Sequence, residues 1–126
     1  MNAVATLDTR TEGSGETTRR RGRAPIDLVH LARQTFGSVE LEREVLSLFV
    51  AQTRPLVARI AAAEGVERAA LVHRLKGSAR GVGATRVAEI CEAFEAKDPS
   101  ATDTLALVSA LVGAEEAVRA FVEDLF

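Results

Sequence analysis

The sequence predicts an all-α protein: an up-and-down antiparallel four-helix bundle with a short additional N-terminal helix. Three observations predict it. The 126 residues contain Ala-rich segments, no Trp, no Tyr and only three Pro, without the aromatic and β-branched runs between Gly-rich turns that a β-sandwich wants. Apolar residues recur at helical spacing along most of the chain. The breakers between these segments leave only short connections, which make successive helices antiparallel neighbours. The length suits one domain with a single core.

Taken in order, the first helix opens with Pro25 at a favourable starting position and runs to about Phe36, where Gly37 stops it. Ser38 is the N-cap of a second helix with apolar positions at Leu41, Val45, Phe49, Leu56 and Ile60, kinked at the internal Pro55. A short loop near Glu64-Gly65 leads to a third helix, about Val66 to Arg80. The Gly81-Val82-Gly83 break turns the chain into a fourth, about Thr85 to Lys97, which Asp98-Pro99 ends. Ser100 with Asp103 resembles a capping pair, and a long last helix follows to about Leu125. No internal repeat is visible.

Residues 1–24 are rich in Thr, Gly, Ser and Arg, with few large apolar side chains and no periodicity. They are expected to form a disordered basic tail ahead of a folded domain at 25–126. The tail carries five Arg against three acids, a net of +2, and the domain 11 basic against 15 acidic residues, a net of −4. The Arg19-Arg-Arg-Gly-Arg23 cluster could touch nucleic acid or an acidic surface. With no aromatics to stack bases and an acidic domain beside it, a solubilising arm is the expectation, with no nucleic-acid partner.

The one Cys excludes an internal disulfide. Its place in Val87-x-x-Ile90-Cys91-x-x-Phe94 puts Cys91 on an apolar stripe as inert core. No apolar run approaches the roughly 18 residues that cross a bilayer, and the arginine cluster is followed by Asp27, His30, Arg33 and Gln34, not by a hydrophobic signal region. The chain is expected in the cytoplasm, as a monomer, with no membrane partner. His30, beside Asp27 and Arg33, reads as an ordinary surface residue.

The third helix carries the chemistry. With about 100° per residue and His73 at zero, Lys76, Gly77 and Arg80 fall within about 60° of it, while Leu71, Leu75, Ser78, Ala79 and Val82 cluster on the opposite side. His73 therefore faces solvent. Gly77 lies one turn along the same face, where Ala would be favoured by about 1 kcal/mol, so something must come close to the imidazole. From Val66 to Arg80 the segment holds Arg68, Arg74, Lys76 and Arg80 against Glu67 alone, a local positive patch on an acidic domain. An exposed imidazole, nucleophilic near pH 7, beside a side-chain gap and two cations suits a phosphoryl carrier. Lys76 could neutralise the incoming charge, and a bulky side chain at position 77 would block an in-line approach. An ordinary exposed His on a basic face is the alternative that spacing alone leaves open.

His73-Arg-Leu-Lys-Gly-Ser-Ala79, then Gly83-Ala84, then Cys91 and Glu95 at their distances, resembles the signature of the histidine-containing phosphotransfer (HPt) domain of multistep two-component phosphorelays. The resemblance covers about residues 26 to 124, including Phe49 and the Leu56-to-Ile60 pattern. It implies a four-helix bundle in which His73 is phosphorylated on its outer ring nitrogen by the receiver domain of a hybrid histidine kinase and passes the group to an aspartate of a response regulator. Residue by residue it implies that Lys76 is the cation near the phosphate and Gly77 the small residue that permits docking. Glu95 matches a polar position on the adjoining helix that in some members orients the imidazole, with a solvated carboxylate as the alternative. Arg74 and Arg80 exceed the minimal pattern and would tune partner choice. Ile26, Val29 and Leu41 become candidates for an apolar docking surface, and the receiver would bring the Mg²⁺, so no cofactor is expected on this chain. The tail is a further departure, about which the family says nothing.

No Gly-rich phosphate loop or nucleotide-binding pattern occurs, and the helical spacing leaves no room for the α/β domain of a kinase. The expectation is a carrier without ATP site or kinase activity, a free-standing shuttle. A scaffold bundle that binds kinases or receivers without transfer would keep Lys76 and Gly77 but make His73 dispensable. A hydrolase with His73 as general base lacks an orienting carboxylate at helical spacing on its own helix and any evident pocket.

Overall fold

A computed structural model describes residues 24–96 and 104–126, with two two-residue bridges, Ala3–Val4 and Thr6–Leu7, in the N-terminal segment. The bridges pair in parallel across a single residue, whereas parallel strands of a sheet need a crossover of a dozen or more. They are a local backbone turn and add no layer. The remaining tail residues up to 23, Asp98-Pro99 and the Ser100/Asp103 pair lie outside the described residues.

Five helices make up the described fold: α1 Leu28–Gln34, α2 Val39–Ala62, α3 Gly65–Val82, α4 Thr85–Ala96 and α5 Thr104–Leu125. It is an all-helical bundle. α2 packs against α3 and α5, α4 packs against the same two, and α1 lies on α3.

α1 starts later than Pro25 suggests. Asp27 is its N-cap, its Oδ1 accepting from the His30 N–H at 3.1 Å, because the Asp27 N–H is held by the carbonyl of Gly83 at 2.8 Å and the chain cannot begin coiling before that anchor. The helix ends at Gln34 in a Schellman turn: Gly37 N–H donates to Ala32 O and Phe36 N–H to Arg33 O. The left-handed residue of that turn is Phe36 as well as Gly37, with φ of 55° and 77°.

Ser38 caps α2 as expected, its Oγ accepting from Leu41 N–H at 3.1 Å, and Glu40 and Glu42 in the first turn complement the helix dipole. The helix runs as one element through Pro55. By length and composition α2 is long and apolar enough to cross a bilayer, contrary to the expectation that no run reaches that length. The apolar residues form a stripe. Leu46, Phe49, Leu56, Val57 and Ile60 are buried in the bundle, whereas Gln52, Arg54 and Arg59 are exposed, a periodicity that averaging over a window hides.

α3 ends at Gly83, whose φ of 84° places it in the left-handed region. A Cβ there would lie 2.9 Å from the Asp27 carbonyl oxygen, so the glycine is required both by conformation and by the anchor of α1. One core cluster gathers residues from all five helices. Ile26, expected as a docking residue, is 0% exposed: it precedes the anchored Asp27 and is pulled into the core with it. Cys91 is buried core as expected. Burial and the nearby Glu95 push its thiol up to about 12. The buried carboxylate of Glu115 is held by Arg119 Nε at 3.0 Å, one turn along α5.

Candidate functional site

α3 sorts its side chains as the periodicity predicts, with two adjustments. Leu71, Leu75, Ala79 and Val82 are buried and Val72 joins them, while Ser78, expected among them, is exposed. The buried stripe is therefore centred closer to Val72 than the angular estimate placed it. His73 remains on the open face, its side chain 75% exposed.

α4 supplies the carboxylate that α3 lacks. Glu95 Oε2 lies 3.1 Å from His73 Nδ1 and Oε1 lies 2.5 Å from Lys76 Nζ, so one carboxylate spans both functional side chains. Glu95 thus contacts the ring, and the solvated alternative does not hold. Lys76 buries its stem and is only 16% exposed, which aims its ammonium group along the surface. Its hydrogen bond, and secondarily that of His73, holds the Glu95 carboxyl below the usual carboxylate range. A carboxylate accepting from Nδ1 fixes the neutral tautomer whose lone pair is on Nε2. Among the described residues nothing hydrogen-bonds to His73 Nε2.

Gly77 lies one turn on, exposed, with nothing within 4 Å of where a Cβ would stand. The fold itself does not require the missing side chain. Arg80 forms an ion pair with Glu92 of α4, making a second rung beside Lys76–Glu95. The expected positive patch is corrected here: α4 presents one carboxylate to each of these cations, and Arg68 Nε donates to the Ile60 carbonyl at 3.0 Å. Arg74 is the cation of α3 that is exposed and forms no ion pair among the described residues.

Val29 is 64% exposed and Leu41 is also exposed. Near them the structure adds two side chains that the sequence reading missed, Val39 and Phe36, the latter 94% exposed. Phe36 read as the last apolar residue of α1, and only its left-handed backbone turns it outward. His30 is more than a surface residue. Its Nε2 lies 3.3 Å from the Gly81 carbonyl oxygen, tying α1 to the end of α3. Of two surface clefts, one is lined by His30, Arg80 and Glu92 and the other by Val72, Phe94 and Leu105, and His73 lines neither.

No curated protein and no solved structure matches the chain. A family model does: the Hpt domain, over residues 44–125. The matched stretch begins in the second turn of α2, ends with α5 and contains His73, Lys76, Gly77 and Glu95, while α1 and Leu41 precede it. The chain therefore belongs to the Hpt domain family, the phosphocarriers, as distinct from kinases, that serve two-component phosphorelays by interacting with the receiver domains of kinases and response regulators.

Proposed function

We propose that His73 is the phosphoryl-carrying residue, loaded by the receiver aspartate of a hybrid histidine kinase and unloaded onto the aspartate of a response regulator. One observation supports this most directly: an exposed imidazole with Nδ1 held by Glu95 and Nε2 facing solvent without a protein partner. In the loading step the Nε2 lone pair attacks phosphorus, the N–P bond forms, and the acyl-phosphate P–O bond breaks with its electron pair leaving on the receiver carboxylate. Nδ1 keeps its proton, and the Glu95 carboxylate offsets the positive charge that the ring acquires. Unloading reverses the step toward a second aspartate.

Lys76, one turn from His73, is the cation for the arriving phosphoryl oxygens, which compete with Glu95 for its ammonium group. Gly77 leaves the approach open, and the receiver supplies Mg²⁺. Arg74, Arg80, Val29 and Leu41 belong to the docking surface in this reading. The domain spans 25–126 as an up-and-down antiparallel four-helix bundle plus α1. Arg43 of α2 stacked on the Phe126 ring at 4.7 Å supports this by setting the end of α5 beside the start of α2. We infer a monomeric cytoplasmic shuttle.

The test is transfer from a receiver domain labelled on its aspartate. The wild-type chain should gain a base-stable, acid-labile phosphoryl label, and His73→Gln should gain none. Label on His73→Gln, or none on the wild type with either a receiver or phosphoramidate as donor, would end the proposal.

A further inference from the structure

The sequence contains one strongly charged element that the site does not use, the Arg19-Arg20-Arg21-Gly22-Arg23 cluster. Its attachment point is defined by the fold. Ile26 is locked in the core, and the Asp27 N–H is bonded to Gly83 O, so the chain leaves the domain at the C-terminal end of α3. Going back along α3 from Gly83 to His73 takes ten residues, about 15 Å at 1.5 Å per residue. An extended chain from Asp27 reaches at most about 13 Å at Arg23 and about 28 Å at Arg19. The span of the arginines therefore brackets the distance to His73, and to a body seated over it.

What would meet the arginines there follows from charge. The transfer face is less basic than its composition implies, because Glu95 and Glu92 neutralise Lys76 and Arg80. Attraction of an acidic partner by α3 then falls largely to Arg74, whereas four arginines stand within eight residues of the anchor. The carboxylates of α4 nearest the attachment point already hold cations of the folded domain: Glu92 holds Arg80, and Glu89 approaches Arg86 at 3.8 Å.

We propose that the Arg19–Arg23 segment is an electrostatic docking element for the acidic face of the receiver domain seated on α3. This rests on the proposed phosphotransfer through His73. The segment raises the rate of encounter and shortens the search for the productive orientation, as complementary charge does elsewhere, and its effect fades as salt shortens the range of the field.

The experiment compares the full chain with a variant in which Arg19, Arg20, Arg21 and Arg23 are replaced by Ser. Transfer from an aspartyl-phosphorylated receiver is followed at low and at about physiological salt. In a His73→Gln background, stopped-flow association with a receiver carrying Mg²⁺ and beryllofluoride reads docking even where no phosphoryl group moves. The variant should associate and transfer about 3- to 10-fold more slowly at low salt, and the gap should close as salt rises. Loading of His73 by phosphoramidate, which needs no docking partner, should be equal in both proteins. Equal or faster association by the variant at low salt overturns the proposal, the faster result indicating that the arginines fold back on the acidic domain. Salt-dependent binding of a DNA duplex tighter than that of the receiver, lost in the variant, overturns it in favour of a nucleic-acid arm. Failure of phosphoramidate to load His73 in either protein strikes the phosphotransfer reading instead and leaves the association measurement to decide the arm.

Discussion

Which nitrogen of an imidazole keeps its lone pair is decided by what the other one touches, and at His73 that partner is Glu95 on the next helix. Periodicity alone turned His73 outward, because the exposed face of an amphipathic helix is a local property. Its carboxylate contact was not legible in the same way: the two residues are joined only by the packing of α3 on α4, and the family resemblance marked position 95 without deciding between a contact and a solvated side chain. Glu95→Gln keeps an acceptor for Nδ1–H and removes the charge, leaving Lys76 without its ion-pair partner. Loading of His73 by phosphoramidate is expected to slow several-fold. The pH dependence of stability should change with it. Because Lys76 and His73 lower the Glu95 pKa from 4.5, the ionised carboxylate stabilises the fold above about that pH, and the contribution is lost as pH falls through the lower folded value. Urea melts between about pH 5 and pH 3 should therefore show the wild type losing more stability than Glu95→Gln. Superimposable acid limbs would mean that the carboxylate is not engaged as described.

Elements were legible where their signals were local. Ser38 as a cap, the Gly83 stop and the span of α4 to within a residue all follow from side chains acting on their own backbone. α1 was misjudged because its start is dictated by a bond to Gly83, far along the chain, and its end by a phenylalanine in a conformation that usually selects glycine. Gly83 and Gly77 are chemically identical and structurally opposite. Gly83→Ala forces a Cβ against the Asp27 carbonyl at a positive φ and should cost about 2 kcal/mol or more. Gly77→Gln meets open space and should be neutral or stabilising by up to about 1 kcal/mol, while slowing transfer with every receiver. Thermal melts of the two variants decide the matter, and a lowered melting point for Gly77→Gln would assign that glycine to packing.

On the scale of the whole molecule, the prediction of one helical domain held because composition and periodicity pointed the same way. The electrostatic picture did not hold, since counting charges on α3 cannot see the carboxylates that α4 sets against them. A single core cluster joins all five helices, so the fold should come apart in one step. Leu75, fully buried on the side of α3 away from His73, reports on this. Leu75→Ala should cost about 2–5 kcal/mol and move the urea midpoint without splitting the transition. Two transitions would show that α1, or another element, melts independently of the rest.

The division of α3 into a buried stripe and an open face reaches beyond folding. Leu71, Val72, Leu75, Ala79 and Val82 hold the helix in place, and none of them borders the exterior that a visiting protein meets. Substitutions at Arg74 or Ser78 can accumulate with little thermodynamic penalty. A duplicated copy of this gene could therefore acquire new signalling allegiances by drift on one side of a helix, insulated from its sibling, while the interior that both inherit stays the same.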